Sequence, residues 1–152
     1  MFVLPLSGEQ RKRRLRSIKA DVREQKISKK ALPAAVLKSF EEHYPTAAIK
    51  GQAKETREGV IFYEIESVDS SISRHTLFES NGTIAEVEES ISINNLPQFI
   101  QDSVKAKYPL AVITSAESIT RDNHVEYELA LKTGTRKMEI IVSPNGKIFK
   151  IK

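Results

Sequence analysis

Two pairs of carboxylates have a spacing that could support chemistry. Glu64 with Glu66, and Glu126 with Glu128, are i, i+2 pairs, so on an extended strand each pair would lie on one face, roughly 6 to 7 Å apart. Carboxylates near that separation can act as the acid and base of an inverting glycosidase. Nothing in the sequence around these carboxylates indicates a substrate cleft. The default interpretation is therefore cross-strand pairing of these carboxylates with Lys and Arg.

The other residues that could bind a metal or attack a substrate give no pattern. His43, His75 and His124 are not at metal-ligand spacing, and the chain has no cysteine, which excludes disulfides and thiolate sites. There is no G-x-S-x-G sequence, no phosphate-binding glycine loop and no dinucleotide fingerprint. The sequence therefore predicts a protein that is not an enzyme, with no catalytic residue, no metal site and no cofactor.

The strongest concentration of charge precedes residue 32. Residues 1–31 contain about ten Lys and Arg against three acids, whereas residues 32–152 are mildly acidic. Six cations cluster within nine positions and are called the basic arm here: Arg11, Lys12, Arg13, Arg14, Arg16 and Lys19. Such a cluster could bind nucleic acid or an anionic membrane. No aromatic residue is interleaved to stack on bases, so a solvated helix face is the alternative interpretation.

A helix is the secondary structure that this basic segment predicts. Glu9 to Lys30 has no Pro or Gly, and Leu15, Ile18 and Val22 fall at helical spacing. We expect this helix to dock along an edge of the body or to remain loose. The opening Met1 to Gly8 is apolar but has no basic n-region, so it is either the remnant of a signal peptide or an ordinary start.

The rest of the chain contains a pattern that recurs after about 64 residues, and about 14 of some 57 aligned positions are identical. The matching pairs are Leu32-Pro33 and Leu96-Pro97, Tyr44-Pro45 and Tyr108-Pro109, Tyr63-Glu64 and Tyr127-Glu128, and Asn81-Gly82 and Asn145-Gly146. We expect an N-terminal arm over residues 1–31 and two repeats, over residues 32–95 and 96–152, packed as one unit.

Each repeat changes from a helical to a strand period. Val36, Phe40 and Tyr44 recur every four residues, which predicts a helix with one apolar stripe. Alternating apolar and polar residues follow, and Asn-Gly sequences predict type I′ hairpins. The sequence thus predicts an α+β fold of two tandem units, each a helix and a four-stranded antiparallel meander. The helices would cover one face of the sheet, and the basic helix would precede them.

The sheet face away from the helices is the predicted binding surface, because nothing in the sequence covers it. Aromatic and aliphatic side chains among carboxylates suit a protein partner, and the alternative is an ordinary solvated face. The predicted residues are Phe62, Glu64, Glu66, His75, Leu77, His124, Glu126, Glu128, Glu139 and Ile141.

The motifs Leu-Pro, Tyr-Pro-x-Ala-x-Ile, Tyr-Glu and Asn-Gly-x-Ile resemble those of the bacterial PepSY-like family, which is described as beta-lactamase-inhibitor-like. The resemblance covers residues 32–152 and implies a secreted or periplasmic, non-catalytic binding or inhibitory module built of tandem α/β repeats. The basic arm and the absence of a complete signal peptide depart from the family pattern.

Three functions stay open at this point. The leading hypothesis is an inhibitor or regulator of another envelope protein that acts through the open sheet face. The second is an electrostatic adaptor whose basic arm binds nucleic acid or anionic membrane, and the third is a structural envelope component. No apolar run approaches the roughly 18 residues of a membrane span.

Overall fold

A computed structural model describes residues 22–151. This part of the chain forms nine strands and two α-helices, with a short 3-10 turn before each helix. The strands are β1 Val22–Lys26, β2 Ala48–Arg57, β3 Val60–Asp69, β4 Ile72–Phe78, β5 Ile84–Ser90, β6 Val112–Arg121, β7 His124–Thr133, β8 Arg136–Val142 and β9 Ile148–Lys150. The helices are α1 Ala34–His43 and α2 Gln98–Lys107, and the 3-10 turns are Lys29–Ala31 and Ile93–Asn95.

All nine strands belong to one antiparallel sheet whose order follows the sequence. Strands β5 and β6 pair from Val87 with Thr120 to Ser90 with Glu117. The predicted fold of two helix-plus-four-strand meanders is therefore wrong, because one continuous nine-stranded sheet replaces them. Backbone groups at the edges of two separate sheets would lack partners, and the pairing of β5 with β6 satisfies them. The division of the chain into two repeats stays a prediction.

The predicted N-terminal helix is also wrong where the structure describes it. Val22 to Lys26 is strand β1, which pairs with β2 from Val22 opposite Arg57 to Lys26 opposite Ala53. Helix propensity is a weak preference that tertiary pairing overrides, and β2 would otherwise be an exposed edge. After β1, Ile27 and Ser28 belong to no helix or strand, and Lys29 begins a 3-10 turn. The part of the predicted helix over residues 9–21, including the basic arm, lies outside the described residues, as do residues 1–8.

The two helices pack on the same face of the sheet, called the helix face here, because their apolar stripes need cover. In α1, Val36 and Phe40 are buried and form one core cluster with Ile65 and Phe78. A second cluster joins α2 to β6, β7 and β8; its members include Ile100, Val104, Leu129 and Ile140. The period-four stripes predicted from the sequence are confirmed by this burial.

The Asn-Gly turns differ from the predicted geometry. A type I′ turn needs positive φ at both central residues, but in Asn81-Gly82 only Gly82 has it, at 88°. The N–H of Gly82 donates to the carbonyl of Glu79 at 2.9 Å. Two consecutive residues with positive φ occur instead at Glu58-Gly59 and Asp122-Asn123. The type I′ prediction is therefore wrong at Asn81-Gly82 and also at Asn145-Gly146, where only Gly146 has a positive φ, of 79°.

Gly82 is required for space as well as for its backbone angle. A Cβ at this position would lie 2.5 Å from the carbonyl oxygen of Ala35, in the first turn of α1, and 3.3 Å from the Cβ of Ser39. The β4–β5 turn can therefore pack against α1 only because residue 82 has no side chain. Gly134 also has a positive φ, of 58°, but a Cβ there would meet nothing within 4 Å.

This contrast gives the first prediction. Gly82→Ala should lower the free energy of unfolding by more than about 2 kcal/mol, because left-handed strain and a backbone clash act together. Gly134→Ala is the matched control and should cost about 1 kcal/mol, from strain alone. Urea denaturation measures both values, and equal costs would contradict the close packing of the turn on α1.

Candidate functional site on the outer sheet face

The surface opposite α1 and α2 is called the outer face here, and the predicted binding residues lie on its strands. Tyr63 and Ile65 pack in the α1 cluster, so the residues between and beside them point the other way. The register sets three predicted pairs directly opposite each other: Glu64 with Leu77, Glu66 with His75, and Glu128 with Ile141. Phe62 lies opposite Glu55, Glu126 opposite Ile119, Glu139 opposite Ala130 and His124 opposite Arg121. That these residues bind a partner stays a prediction.

The outer face is less exposed than the sequence suggested. Leu77 and Ile141 are only 4% and 1% exposed, and Phe62 is half-buried rather than a projecting aromatic. Leu77 and Ile141 each lie directly opposite a longer charged residue, Glu64 or Glu128, so this face has an apolar floor beneath a charged upper layer. Three members of that floor were not predicted as site residues: Ala53, Ile119 and Phe149.

The centre of the charged layer is Glu86 on β5, which contacts two arginines. Arg57 on β2 reaches it with Nη1 at 3.1 Å from Oε2, and the Nε of Arg57 donates to Glu55 at 2.6 Å. Arg121 on β6 donates from Nε to the same Oε2 of Glu86, and its Nη1 lies 3.7 Å from Glu126. Glu86 on β5 thus contacts two arginines, which link it in turn to Glu55 on β2 and Glu126 on β7.

Burial and charge act in opposite directions on Glu86, which is 5% exposed. Burial raises the pKa of a carboxyl, but the charges and hydrogen bonds of Arg121 and Arg57 outweigh it and lower the pKa of Glu86 below its ordinary value. Glu86 is therefore ionised at neutral pH. Burying a carboxylate costs free energy unless cations and hydrogen bonds compensate its charge, and the two arginines supply that compensation for Glu86.

A second group of charges surrounds His75 on β4. Its Nδ1 lies 3.1 Å from Oε1 of Glu64. That hydrogen bond raises the pKa of His75 to about 9 against the effect of burial, and the charges of Glu64, Glu66 and Glu88 add to the rise. Burial is the main cause that raises the pKa of Glu88 to about 7, with the neighbouring charges of Glu86 and Glu117 adding to it.

These two groups enclose a cavity of about 150 Å³ on the outer face. Five carboxylates surround it, against one arginine, one histidine and one leucine. The lining residues are Glu24, Glu55, Arg57, Glu64, His75, Leu77, Glu86 and Glu88. Sequence reasoning identified only Glu64, His75 and Leu77 of these. The alternation of Glu86 and Glu88 with Ala85 and Val87 was a signal that could have added two more.

The arrangement suits the binding of cations. Two cavity carboxylates already have cationic partners: Glu64 pairs with His75, and Glu86 pairs with two arginines. Within residues 22–151, no group of three or more His, Asp or Glu side chains could hold a metal ion. In this cavity, a lysine or arginine side chain from another polypeptide would lie among carboxylates and above the apolar floor.

Fold and face together define a class: an α+β protein with one nine-stranded sheet, two helices on one side and an acidic outer face. The chain belongs to the PepSY-like family, whose model is described as "Putative beta-lactamase-inhibitor-like, PepSY-like" and matches residues 18–73 and 63–150. No curated protein matches the chain. The family is described as inhibitor-like, and that description assigns no reaction to it.

Solved structures from Bacteroides species share the fold. A DUF2874 family protein of Bacteroides uniformis has a TM-score of 0.63 at 16% identity, over 77% of this chain and 86% of its own. A BLIP-like protein of Bacteroides fragilis has a TM-score of 0.59 at 22% identity, over 76% and 81%. A "putative periplasmic" protein of Bacteroides eggerthii has a TM-score of 0.63 at 16% identity, over 78% and 88%. At sequence identities of 16% to 22%, this similarity shows that the chain shares its fold with these proteins.

Neither described helix could cross a membrane, since both are too short and too polar.

The pKa shifts predict how stability depends on pH. Glu88 and His75 both bind a proton more tightly in the folded protein than in the unfolded chain, so unfolding releases protons and stability falls as pH rises. For Glu88 the fall runs from its ordinary pKa of 4.5 to about 7, and for His75 from 6.5 to about 9. Urea denaturation at a series of pH values measures these slopes.

Glu88→Gln should remove the fall between pH 4.5 and 7, and His75→Gln the fall between pH 6.5 and 9. Glu41→Gln, at an exposed position on α1, is the control and should leave both slopes in place. Slopes that persist in the two outer-face variants would contradict the assignment.

Proposed function

We propose that this chain is a non-catalytic binding module that inhibits or regulates another envelope protein by holding a cationic segment of that protein on its outer face. The observation that carries the proposal is the cavity of about 150 Å³ that five carboxylates surround, against Arg57 and His75. A lysine or arginine of the partner would enter it, and the predicted residues Glu66, Glu126 and Glu128 would surround the rest of the segment.

The charged layer supports the proposal because it is organised before a partner arrives. Glu86 holds Arg57 and Arg121, and Glu64 holds His75, so few side chains need to lose rotamer freedom on binding. Avoiding that ordering cost is a main source of affinity in preorganised interfaces. The buried Leu77 and Ile141 beneath the charges give the face a rigid floor, against which the aliphatic stem of a lysine or arginine can pack.

The family and fold support the choice of a protein partner and of the envelope. The matching family is described as beta-lactamase-inhibitor-like, and similar folds include a BLIP-like protein and one described as periplasmic. Electrostatic complementarity of this kind mainly sets the association rate and partner choice. The adaptor alternative depends on the basic arm, which lies outside the described residues, and no described residue favours it.

Binding of a defined cationic probe tests the proposal. We expect a fluorescent octapeptide of alternating Arg and Gly to bind the full chain at pH 8, as measured by fluorescence anisotropy. The double variant Glu24→Gln with Glu88→Gln removes two cavity carboxylates and should weaken binding by about five-fold to ten-fold.

The matched control is Glu41→Gln with Glu42→Gln, which makes the same change in net charge on the exposed surface of α1. Its effect should stay below about two-fold, since charges further apart than the Debye length are screened at physiological salt. Equal weakening by both double variants, or no binding of the octapeptide by any form of the chain, would refute the outer face as a cation-binding surface.

A further inference from the structure

We propose that the basic arm of this chain binds its own outer face and competes there with the cationic segment of the partner. This inference rests on the proposed function, because it assigns a regulator to the same surface. Its consequence is that the free protein is partly self-inhibited and that a partner must displace the arm before it can bind.

Charge complementarity is the first argument. The arm contributes six cations within nine positions, Arg11 to Lys19. Strands β1 to β7 of the outer face carry eight carboxylates in addition to Glu24, against Arg57, Arg121 and His75 near their centre and Lys26 and Lys132 towards their ends. These eight are Glu55, Glu64, Glu66, Glu86, Glu88, Glu117, Glu126 and Glu128. The two surfaces differ in sign, and the arm is the densest group of cations in the sequence.

The point at which the arm joins the fold is the second argument. Strand β1 starts at Val22, opposite Arg57, and two residues later Glu24 lines the cavity. The arm therefore joins the sheet at the rim of the acidic region. Lys19 is three residues from Val22 and Arg11 is eleven, so their backbones can lie about 10 to 40 Å away in an extended chain. Six strand spacings, from β1 to β7, amount to about 29 Å, which is within that reach.

Covalent connection makes even a weak interaction effective. A segment joined by a short linker has an effective concentration in the millimolar range. If the isolated arm bound with a dissociation constant near 0.1 mM, it would occupy the face most of the time and weaken a competing ligand about ten-fold. A partner with more contacts could still displace it.

The test compares three forms of the full chain in binding the Arg-Gly octapeptide at pH 8. The arm variant carries Arg11→Gln, Arg13→Gln, Arg14→Gln and Arg16→Gln. The control variant removes the same charge from exposed residues on the helix side, through Lys38→Gln, Lys105→Gln, Lys107→Gln and Arg136→Gln. We expect the arm variant to bind the octapeptide about ten-fold more tightly than the native chain, and the control variant to differ by no more than about two-fold.

The outcomes separate this inference from the proposed function. Equal affinity in the native chain and the arm variant would overturn the inference and leave the proposed function intact. Absence of binding in all three forms would overturn both. Retention of double-stranded DNA by the native chain, together with equal octapeptide affinity in native and arm forms, would assign the arm to nucleic acid and overturn the inference.

A second measurement observes the contact directly. Carbodiimide coupling joins a lysine amine to a carboxylate that lies against it, and the arm contains Lys12 and Lys19. In monomeric product, mass spectrometry should find these lysines joined to outer-face residues such as Glu64 or Glu88. Joining to Glu41 or Glu42 on α1 instead, or no joining at all, would contradict docking on the outer face.

Discussion

The carboxylate of Glu86 forms ion pairs with Arg57 and Arg121, and the organisation of the outer face depends on these contacts. The two arginines occupy the last positions of β2 and β6, and they are 64 positions apart. In a flat sheet, β2 would lie about 14 Å from β5, so the contact between Arg57 and Glu86 extends across β3 and β4. Buried ion pairs add little net stability but fix geometry when every member is paired. We interpret Glu86 as the residue that sets the shape of the charged layer.

This arrangement is possible only because the sheet is continuous. The pairing of β5 with β6 places Glu86 and Arg121 on neighbouring strands, whereas two separate sheets would have divided them. Each helix still covers its own core cluster, one including Phe40, Ile65 and Phe78 and the other including Ile100 and Leu129. The helix face is thus built from two local cores, and the outer face is a single surface.

The sequence predicted the parts of the fold that depend on local pattern. The period-four stripe of Val36 and Phe40 and the inward alternation of Tyr63 and Ile65 are both present, because burial of apolar side chains sets these periods. The predicted overall fold was wrong because strand pairing is not local. Residues 22–26 have good helix formers, yet they pair with β2, whose edge no sequence pattern shows. The same non-local pairing formed one sheet in place of two meanders.

In the candidate site too, the features set by local sequence pattern were predicted and those set by strand pairing were not. Alternation along β3 identified Glu64 and Glu66, and their register against Leu77 and His75 follows from a short turn. Alternation along β5 sets Glu86 and Glu88 on one face, but a shift in register between Leu77 and Phe78 means that counting from β4 across the turn does not show which face that is. Burial of Leu77 and Ile141 on a face without a described helix was also unpredictable, because it depends on which residues of the paired strands lie beside them.

The most direct measurement is a ¹H–¹⁵N NMR titration of the full chain with the Arg-Gly octapeptide. The account predicts shifts at amides of β1 to β5, whose residues line the cavity, and at the side chains of Arg57 and Arg121, with α1 and α2 unchanged. Shifts confined to the helices, or uniform small shifts over the whole surface, would contradict the claim that the Glu86-centred outer face is the binding surface.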